Sequence, residues 1–180
     1  MKTWFTTFAL CAALPLALDS ATSPFSTENI PTTTPEPDFS VIEQDHARAY
    51  VERIYPLAVK LQTEHAMPIP VSLGIACLES GYGSSYYARK RHNHLGIRSY
   101  QGGKAGYRRF GSVDDCFEYF GQLLDKERYA PLQQLDAPDL PTYLASLQAC
   151  GFNHRDSYTR KLLTVIEFLN LQEIAPADLA

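Results

Sequence analysis

The sequence predicts an all-α domain, and three features support this fold class. Apolar residues recur at three- and four-residue steps in two long stretches, Phe39–His65 and Tyr158–Leu169. The run Val71–Leu78 is apolar on nearly every side, which is typical of a helix buried in a core. Residues 92–110 hold four glycines and show little periodicity, so they interrupt the helical pattern.

Length and composition are those of one globular domain with short extensions. The chain has 180 residues, of which 45% are hydrophobic and 20% are charged. Its net charge is only −4, so nothing global indicates a nucleic-acid partner. We predict a monomer that needs no cofactor.

The two ends of the chain are predicted to lie outside this domain, which covers residues 39–174. Residues 1–21 are typical of a secretory signal, because Lys2 precedes an apolar run, Phe5–Leu18, which Pro15 interrupts. Residues 22–38 are rich in Ser, Thr and Pro and indicate a disordered linker, and residues 175–180 form a tail. We expect export with no stable membrane insertion after cleavage. Two alternatives are left open: residues 1–21 are not cleaved and anchor the protein in the membrane, or Cys11 carries a lipid anchor.

The helices near the start of the domain follow from their periodicity and their ends. Phe39–His65 is predicted as one helix. Pro68 and Pro70 favour the start of the next, because proline pre-sets φ and a first turn does not need its missing N–H. Gly81 ends that helix, since glycine is the usual residue past a C-terminus. Ser84–Lys90 is predicted to be a short third helix.

Three later helices are predicted from the second half of the chain. The tetrapeptide Ser112–Asp115 is a capping box that opens the first of them. Leu140–Cys150 is predicted as the second, closed by Gly151. Asp156 or Ser157 is expected to cap the last helix.

Glu79 is the single acidic residue of the buried helix, and it lies in the last turn. The negative end of the helix dipole and apolar surroundings both disfavour a carboxylate there. A glutamic acid with a raised pKa stays protonated near neutral pH and acts as a proton donor. The alternative is a surface glutamate where the helix emerges.

The residues that follow Glu79 form a long, spaced motif. Glu79 opens E-S-G-Y-G-S-S-Y-Y-A, and H-N-H-L-G-I-R comes next. These segments resemble the catalytic part of the glucosaminidase family, bacterial cell-wall hydrolases grouped as glycoside hydrolase family 73. The matching positions are Glu79, Ser80, Gly81, Gly83, Ser85, Ala88, Asn93, Gly96 and Ile97, with Arg98 in place of a lysine. The resemblance extends over about residues 41–172. In its closing segment Tyr158 matches, and Phe152 replaces a tyrosine of the cleft.

The resemblance implies a lysozyme-like α+β fold in which residues 92–110 form a small β-lobe over an active-site cleft. It implies a peptidoglycan hydrolase of the periplasm, cell envelope or medium, which cleaves the β-1,4 bond after N-acetylglucosamine with Glu79 as general acid. The predicted substrate-binding residues are Ser85, Asn93, Tyr100, Tyr107, Phe152 and Tyr158. For the two tyrosines of the lobe, stacking on sugar rings and simple packing are equal alternatives.

The sequence departs from the family pattern mainly because it lacks an evident second carboxylate. Glycoside hydrolysis usually needs two carboxyl groups, yet the sequence has no acidic residue between Glu79 and Asp114. The nearest candidates are Asp114, Asp115 and Glu118, although the two aspartates also suit the first turn of a helix. Otherwise the substrate's own 2-acetamido group assists, or the bond breaks without water, as in lytic transglycosylases. A non-catalytic peptidoglycan-binding module is the rival from another class.

Basic residues fill the stretch that lacks acids. They are Arg89, Lys90, Arg91, Arg98, Lys104, Arg108 and Arg109. Such a surface attracts an anionic polymer, and the peptide carboxylates of peptidoglycan fit this requirement. A solvated basic face without a ligand is the alternative.

The cysteines and histidines do not indicate a metal site. Removal of the leader leaves Cys77, Cys116 and Cys150, an odd number, so at least one thiol is free. Cys77 is predicted to be a small core residue, and a disulfide between two of the three stays open. His92 and His94 lack a nearby Cys or carboxylate partner and form a poor ligand set.

Overall fold

The computed structural model describes residues 36–101, 104–153 and 155–174. The predicted leader, nearly all of the predicted linker and the predicted tail lie outside the described residues. The described part contains seven α-helices and one pair of strands. The helices are α1 (Asp45–His65), α2 (Ile69–Ser80), α3 (Tyr86–Arg91), α4 (Val113–Leu124), α5 (Ala130–Gln133), α6 (Leu140–Ala149) and α7 (Asp156–Phe168). The predicted helical fold class is therefore confirmed.

The chain enters the domain through a 3₁₀ turn, and this corrects the first predicted helix. Phe39–Val41 forms the turn, in which the Asp38 carboxylate accepts the N–H of Ser40 at 2.9 Å. Ile42 is fully buried, and α1 begins only at Asp45. The apolar residues before Asp45 therefore belong to the core without being helical.

Helix α2 is the central element, and it contacts both α1 and α7. Nearly all of its side chains are buried, as its apolar sequence predicts. Gly74 explains how α7 comes so close, because a Cβ at this position would lie 2.7 Å from Ile166 Cγ1. Helix α2 ends as predicted at Gly81, whose φ of +55° is in the left-handed region that favours glycine.

The predicted β-lobe is a two-stranded antiparallel hairpin. Strand β1 is Arg98–Gln101 and strand β2 is Lys104–Tyr107. In the register of the hairpin, Arg98 pairs with Tyr107 and Tyr100 pairs with Ala105. The hairpin follows α3, whose N-terminus is capped by the Ser85 hydroxyl.

The later helices confirm the predicted capping box and correct one cap. The Ser112 side chain accepts the Asp115 N–H at 3.0 Å, and the Asp115 carboxylate accepts the Ser112 N–H at 3.1 Å. The N-cap position of α7 is Arg155, which makes no side-chain capping bond, rather than Asp156 or Ser157. The backbone of Arg155 is held locally instead, since its N–H donates to Asn153 Oδ1 at 3.0 Å.

The three cysteines of the described residues are free thiols. Cys77 and Cys116 are buried, and Cys77 is a core residue of α2 as predicted. The disulfide left open by the sequence is not formed. In the same part of the chain, no helix is both long and apolar enough to span a bilayer.

Candidate active site

Glu79 lies in the last turn of α2, at the edge of the core. Its neighbours Cys77 and Ser80 are buried, whereas Glu79 itself is only partly covered. The Tyr158 hydroxyl of α7 donates a hydrogen bond to the Glu79 carboxyl. The Glu79 carboxyl group therefore belongs to α2 and is hydrogen-bonded by a side chain of α7.

The surroundings of Glu79 favour its protonated form. Burial raises the pKa of Glu79, while the Tyr158 hydrogen bond and the positive charge of Arg98 act in the opposite direction. The net pKa lies above the ordinary value for a glutamic acid. The raised pKa agrees in direction with the sequence-based prediction of a proton donor. The Tyr158 hydroxyl and the Arg98 charge favour the ionised form of Glu79.

Gly96 forms the wall of the site opposite the glutamate. A Cβ at Gly96 would lie 3.0 Å from Glu79 Cδ and closer still to one carboxylate oxygen. Gly96 also has a φ of +65°, a conformation that costs other residues free energy. Only glycine lets this backbone lie against the carboxyl group.

The Asn93 side chain holds the loop that carries Gly96, and its contact with substrate stays a prediction. Its amide Nδ2 donates to the carbonyls of Ile97 at 2.8 Å and Arg108 at 2.9 Å, and its Oδ1 accepts the Ile97 N–H at 2.9 Å. The side chain is 1% exposed. Since both ends of the buried amide are already used by the backbone, Asn93 is a structural residue.

Replacing Asn93 by alanine is expected to destabilise the domain by about 3 kcal/mol or more, because buried backbone groups lose their partners. Thermal unfolding measures this loss. Asn153→Ala is the matched control, since the Asn153 side chain makes one exposed hydrogen bond, to the Arg155 N–H. Equal melting temperatures for the two variants would contradict the structural role of Asn93.

Ser85 also has a structural contact. Its hydroxyl accepts the Ala88 N–H at 3.2 Å and caps α3, while its own N–H donates to the Ser80 carbonyl at 2.9 Å. Ser85 therefore couples α3 to the end of α2. Substrate binding by its hydroxyl stays a prediction.

Aromatic and basic side chains alternate beside the hairpin. Tyr107 packs on Tyr87 with ring centroids 4.1 Å apart, and the Arg98 guanidinium lies 4.3 Å from the Tyr107 ring. The Arg91 guanidinium lies 5.7 Å from the centre of the Tyr87 ring and donates to the Tyr107 carbonyl at 2.7 Å. Tyr107 is thus half-buried and packed on its neighbours, whereas Tyr100 is 79% exposed, and sugar stacking by either tyrosine stays a prediction.

Phe152 lies behind Tyr158. Its ring is 6.0 Å from that of Tyr158 and 5.9 Å from that of Phe120. Phe152 therefore packs near the Tyr158 ring, whose hydroxyl bonds to Glu79, and substrate binding by Phe152 stays a prediction.

The three candidate second carboxylates line a cavity whose lining residues do not include Glu79. The cavity has a volume of about 240 Å³ and lies between α1 and α4, and its other lining residues are Leu57, Lys60, Leu61, His65 and Phe117. Asp115 is held in the capping box, and Glu118 forms an ion pair with Lys60 at 2.5 Å. None of the contacts that the described residues show for these carboxylates reaches Glu79.

Comparison with known families identifies the fold and the motif together. The profile of the glucosaminidase family, described as mannosyl-glycoprotein endo-beta-N-acetylglucosaminidase, matches residues 55–171. The chain belongs to this family. The glucosaminidase domain is therefore a glycoside hydrolase, as the motif around Glu79 predicts.

Solved structures agree with this fold. The catalytic domain of the autolysin Auto from Listeria monocytogenes is 20% identical with a TM-score of 0.61, and the match covers 73% of this chain and 89% of that one. A peptidoglycan hydrolase from Sphingomonas sp. A1 is 25% identical with a TM-score of 0.57, over 69% and 90%. The glycoside hydrolase domain of FlgJ from Salmonella typhimurium, truncated at its C-terminus, is 21% identical with a TM-score of 0.54, over 69% and 97%. No curated protein sequence matches the chain.

Gly96 and Arg98 both act on Glu79 in ways that the sequence did not predict. Both were matched to the family motif, but Gly96 was not predicted to lie against the carboxyl group, and Arg98 was not predicted to lower its pKa. They lie 17 and 19 positions after Glu79, so helical or strand periodicity does not connect them to it. The sequence feature that could have indicated these neighbours of Glu79 is the presence of glycine and basic residues in the motif.

Proposed function

We propose that this glucosaminidase hydrolyses the glycan strand of peptidoglycan at the β-1,4 bond after N-acetylglucosamine, with Glu79 as general acid. The observation that carries the proposal is the carboxyl group of Glu79, which lies at the end of a buried helix with a raised pKa. The Sphingomonas neighbour is titled a peptidoglycan hydrolase, and Auto is titled an autolysin. These titles support a wall substrate for this chain.

The basic surface beside the site supports an anionic glycan. Arg89, Lys90 and Arg98 are exposed, and sequence places no acid between Glu79 and Asp114. Free carboxylates on the peptides of peptidoglycan meet this surface with the opposite charge. The exposed ring of Tyr100 adds a face on which a sugar stacks.

The chemistry proceeds with one protein carboxyl group. Glu79 transfers its proton to the glycosidic oxygen as the bond between that oxygen and C1 of N-acetylglucosamine breaks. The oxygen of the 2-acetamido group on this N-acetylglucosamine attacks C1 in place of a protein nucleophile. Water then adds at C1, and the Glu79 carboxylate accepts a proton from it. Arg98 and Tyr158 stabilise the carboxylate between the two steps. The positions of Asp114, Asp115 and Glu118 favour this route, because all three line the separate α1–α4 cavity.

A lytic transglycosylase is the second candidate, and the same observation favours it. Such an enzyme needs one acid/base group, because a hydroxyl of the substrate replaces water. A non-catalytic binding module is less well supported, since a binder gains nothing from a carboxyl group held in a site that disfavours its charge.

Mass spectrometry of fragments released from purified peptidoglycan tests the proposal. Products that end in reducing N-acetylglucosamine, with one water added, support it. Anhydro-muramyl ends identify a lytic transglycosylase. If no wall preparation yields fragments, the enzymatic role fails and a binding module is left.

The pH dependence of lysis tests the role of Arg98 beside Glu79. A general acid acts while protonated, so activity falls as pH rises through the Glu79 pKa. The Arg98→Gln variant removes a charge that lowers this pKa, so the basic limb of the pH–rate profile is expected to move to higher pH. Arg89→Gln is the control, because it removes one exposed charge from α3 and should leave the limb in place. A basic limb that stays fixed in Arg98→Gln would contradict the arrangement.

A further inference from the structure

Tyr50 lies in α1 and is 2% exposed, yet its hydroxyl meets polar groups of two other segments. The hydroxyl oxygen is 3.0 Å from Ser80 Oγ, at the end of α2, and 2.9 Å from His94 Nδ1, in the loop before the hairpin. The Ala76 carbonyl lies 3.4 Å away. None of these contacts belongs to the Glu79 chemistry described above.

Ser80 ties the Tyr50 hydroxyl to the corner that follows Glu79. Its Oγ contacts the Ala76 carbonyl at 2.6 Å and accepts the Gly83 N–H at 2.7 Å. Gly83 in turn packs on the Tyr50 ring, since a Cβ there would lie 2.8 Å from Tyr50 Cε2. The backbone on the C-terminal side of Glu79 is therefore fixed to α1 through one tyrosine.

His94 ties the same hydroxyl to the loop that carries Gly96. Its ring stacks on the Tyr50 ring, with centroids 5.8 Å apart and planes 12° apart. Burial, the charge of Arg53 and the nearby His92 lower the pKa of His94 to about 4. His94 is neutral at physiological pH, and in its tautomer with the proton on Nε2, Nδ1 accepts the Tyr50 O–H. The loop is also held by Cys116 of α4, whose sulfur accepts the backbone N–H groups of His94 and Leu95.

We infer that Tyr50 is a positioning residue, whose hydroxyl joins the end of α2 to the Gly96 loop and thereby holds the Glu79 carboxyl at its depth in the site. The two segments that meet at this hydroxyl are the two that enclose Glu79: one carries its backbone and the other covers its carboxyl group. The inference rests on the proposed catalytic role of Glu79. It adds Tyr50 of α1 and His94 to the site as residues that act through Glu79.

The Tyr50→Phe variant tests this role because it keeps the aromatic ring and removes the hydroxyl that bonds to Ser80 and His94. The matched control is Tyr143→Phe, which also removes a buried hydroxyl. That hydroxyl is bonded at 3.3 Å to the Ala66 carbonyl, and Tyr143 is not among the groups that shift the Glu79 pKa. For Tyr50→Phe and Tyr143→Phe we would measure the lysis rate, the pH–rate profile and the carbon-13 NMR titration of the Glu79 carboxyl. The Glu79→Gln variant assigns the Glu79 resonance. The His94→Phe variant, which keeps a stacking ring but has no acceptor, repeats the test from the other side.

In Tyr50→Phe, kcat is expected to fall about tenfold to a hundredfold, since small displacements of a catalytic group are costly. KM is expected to stay unchanged, and the Glu79 pKa should move down toward its ordinary value, because a looser loop admits water. Arg98 and Tyr158, the other groups that face Glu79, are unaltered in this variant. His94→Phe should behave in the same way, and Tyr143→Phe should shift neither kcat nor the pKa.

Two results would overturn the inference. One is equal behaviour of Tyr50→Phe and Tyr143→Phe. The other is a Glu79 titration that does not change in Tyr50→Phe or in His94→Phe. If the wild type releases no fragments, the proposed function fails, but the NMR titration still decides whether Tyr50 positions Glu79.

Discussion

Glu79→Gln is expected to abolish lysis, with a loss of at least about a hundredfold, because an amide cannot transfer the proton that a general acid supplies. The substitution keeps the size of the side chain and its contact with Gly96. Binding to insoluble peptidoglycan should therefore persist. Zymography and a sedimentation binding assay measure the two properties separately.

The same variant is expected to melt at a higher temperature than the wild type at pH 7. Burial raises the pKa of Glu79 in the folded state. The contribution of such a group to stability is fully present below its unfolded pKa and is lost as pH rises through the folded pKa. At neutral pH the wild type therefore carries a penalty that glutamine removes. The difference in melting temperature should shrink as the pH is lowered below the unfolded pKa of glutamate.

Glu118→Gln is the comparison for both measurements. Hydrogen bonding and the charge of Lys60 lower the Glu118 pKa, so this variant gains no stability at pH 7. It should retain lysis, since the side chain lines the α1–α4 cavity. Full activity in Glu79→Gln would end the proposed mechanism. Loss of activity in Glu118→Gln would instead indicate that Glu118 of α4 is the second carboxylate.

Gly96→Ala is expected to remove activity and to destabilise the fold. The added methyl group collides with the Glu79 carboxyl group, whose Cδ would be 3.0 Å away. The backbone at Gly96 has a φ of +65°, which adds a conformational cost of about 1–3 kcal/mol for other residues. Glu79 must turn away from its present position, so kcat should fall even at temperatures where the variant is folded.

Gly106→Ala provides the control in the same lobe. A Cβ at Gly106 meets no atom within 4 Å, and the residue lies in strand β2. Its activity and melting temperature should match those of the wild type. Lysis by Gly96→Ala at the wild-type rate would show that the close contact with Glu79 has no part in catalysis.

The local chain contains the information for most of the secondary structure. The apolar run of α2, its proline start and its stop at Gly81 all depend on residues within one helix. The capping box of α4 likewise needs only four consecutive residues. The boundaries failed where distant contacts decided them: α1 begins at Asp45 instead of Phe39, because Ile42 reaches the core from extended backbone.

The site itself shows the limit of local information. The sequence by itself determined that Glu79 ends a buried helix and that a glycine-rich, basic segment follows, which was enough to indicate a family and a proton donor. Only the tertiary structure decided that Gly96 covers the carboxyl group, that Asn93 binds backbone and that Asp114, Asp115 and Glu118 line a different cavity. Tyr50 and His94 are 44 positions apart, yet they share one hydrogen bond. Spacing along the chain fixes neighbours within a helix or strand, whereas contacts between elements depend on how α1, α2, α7 and the loop pack together.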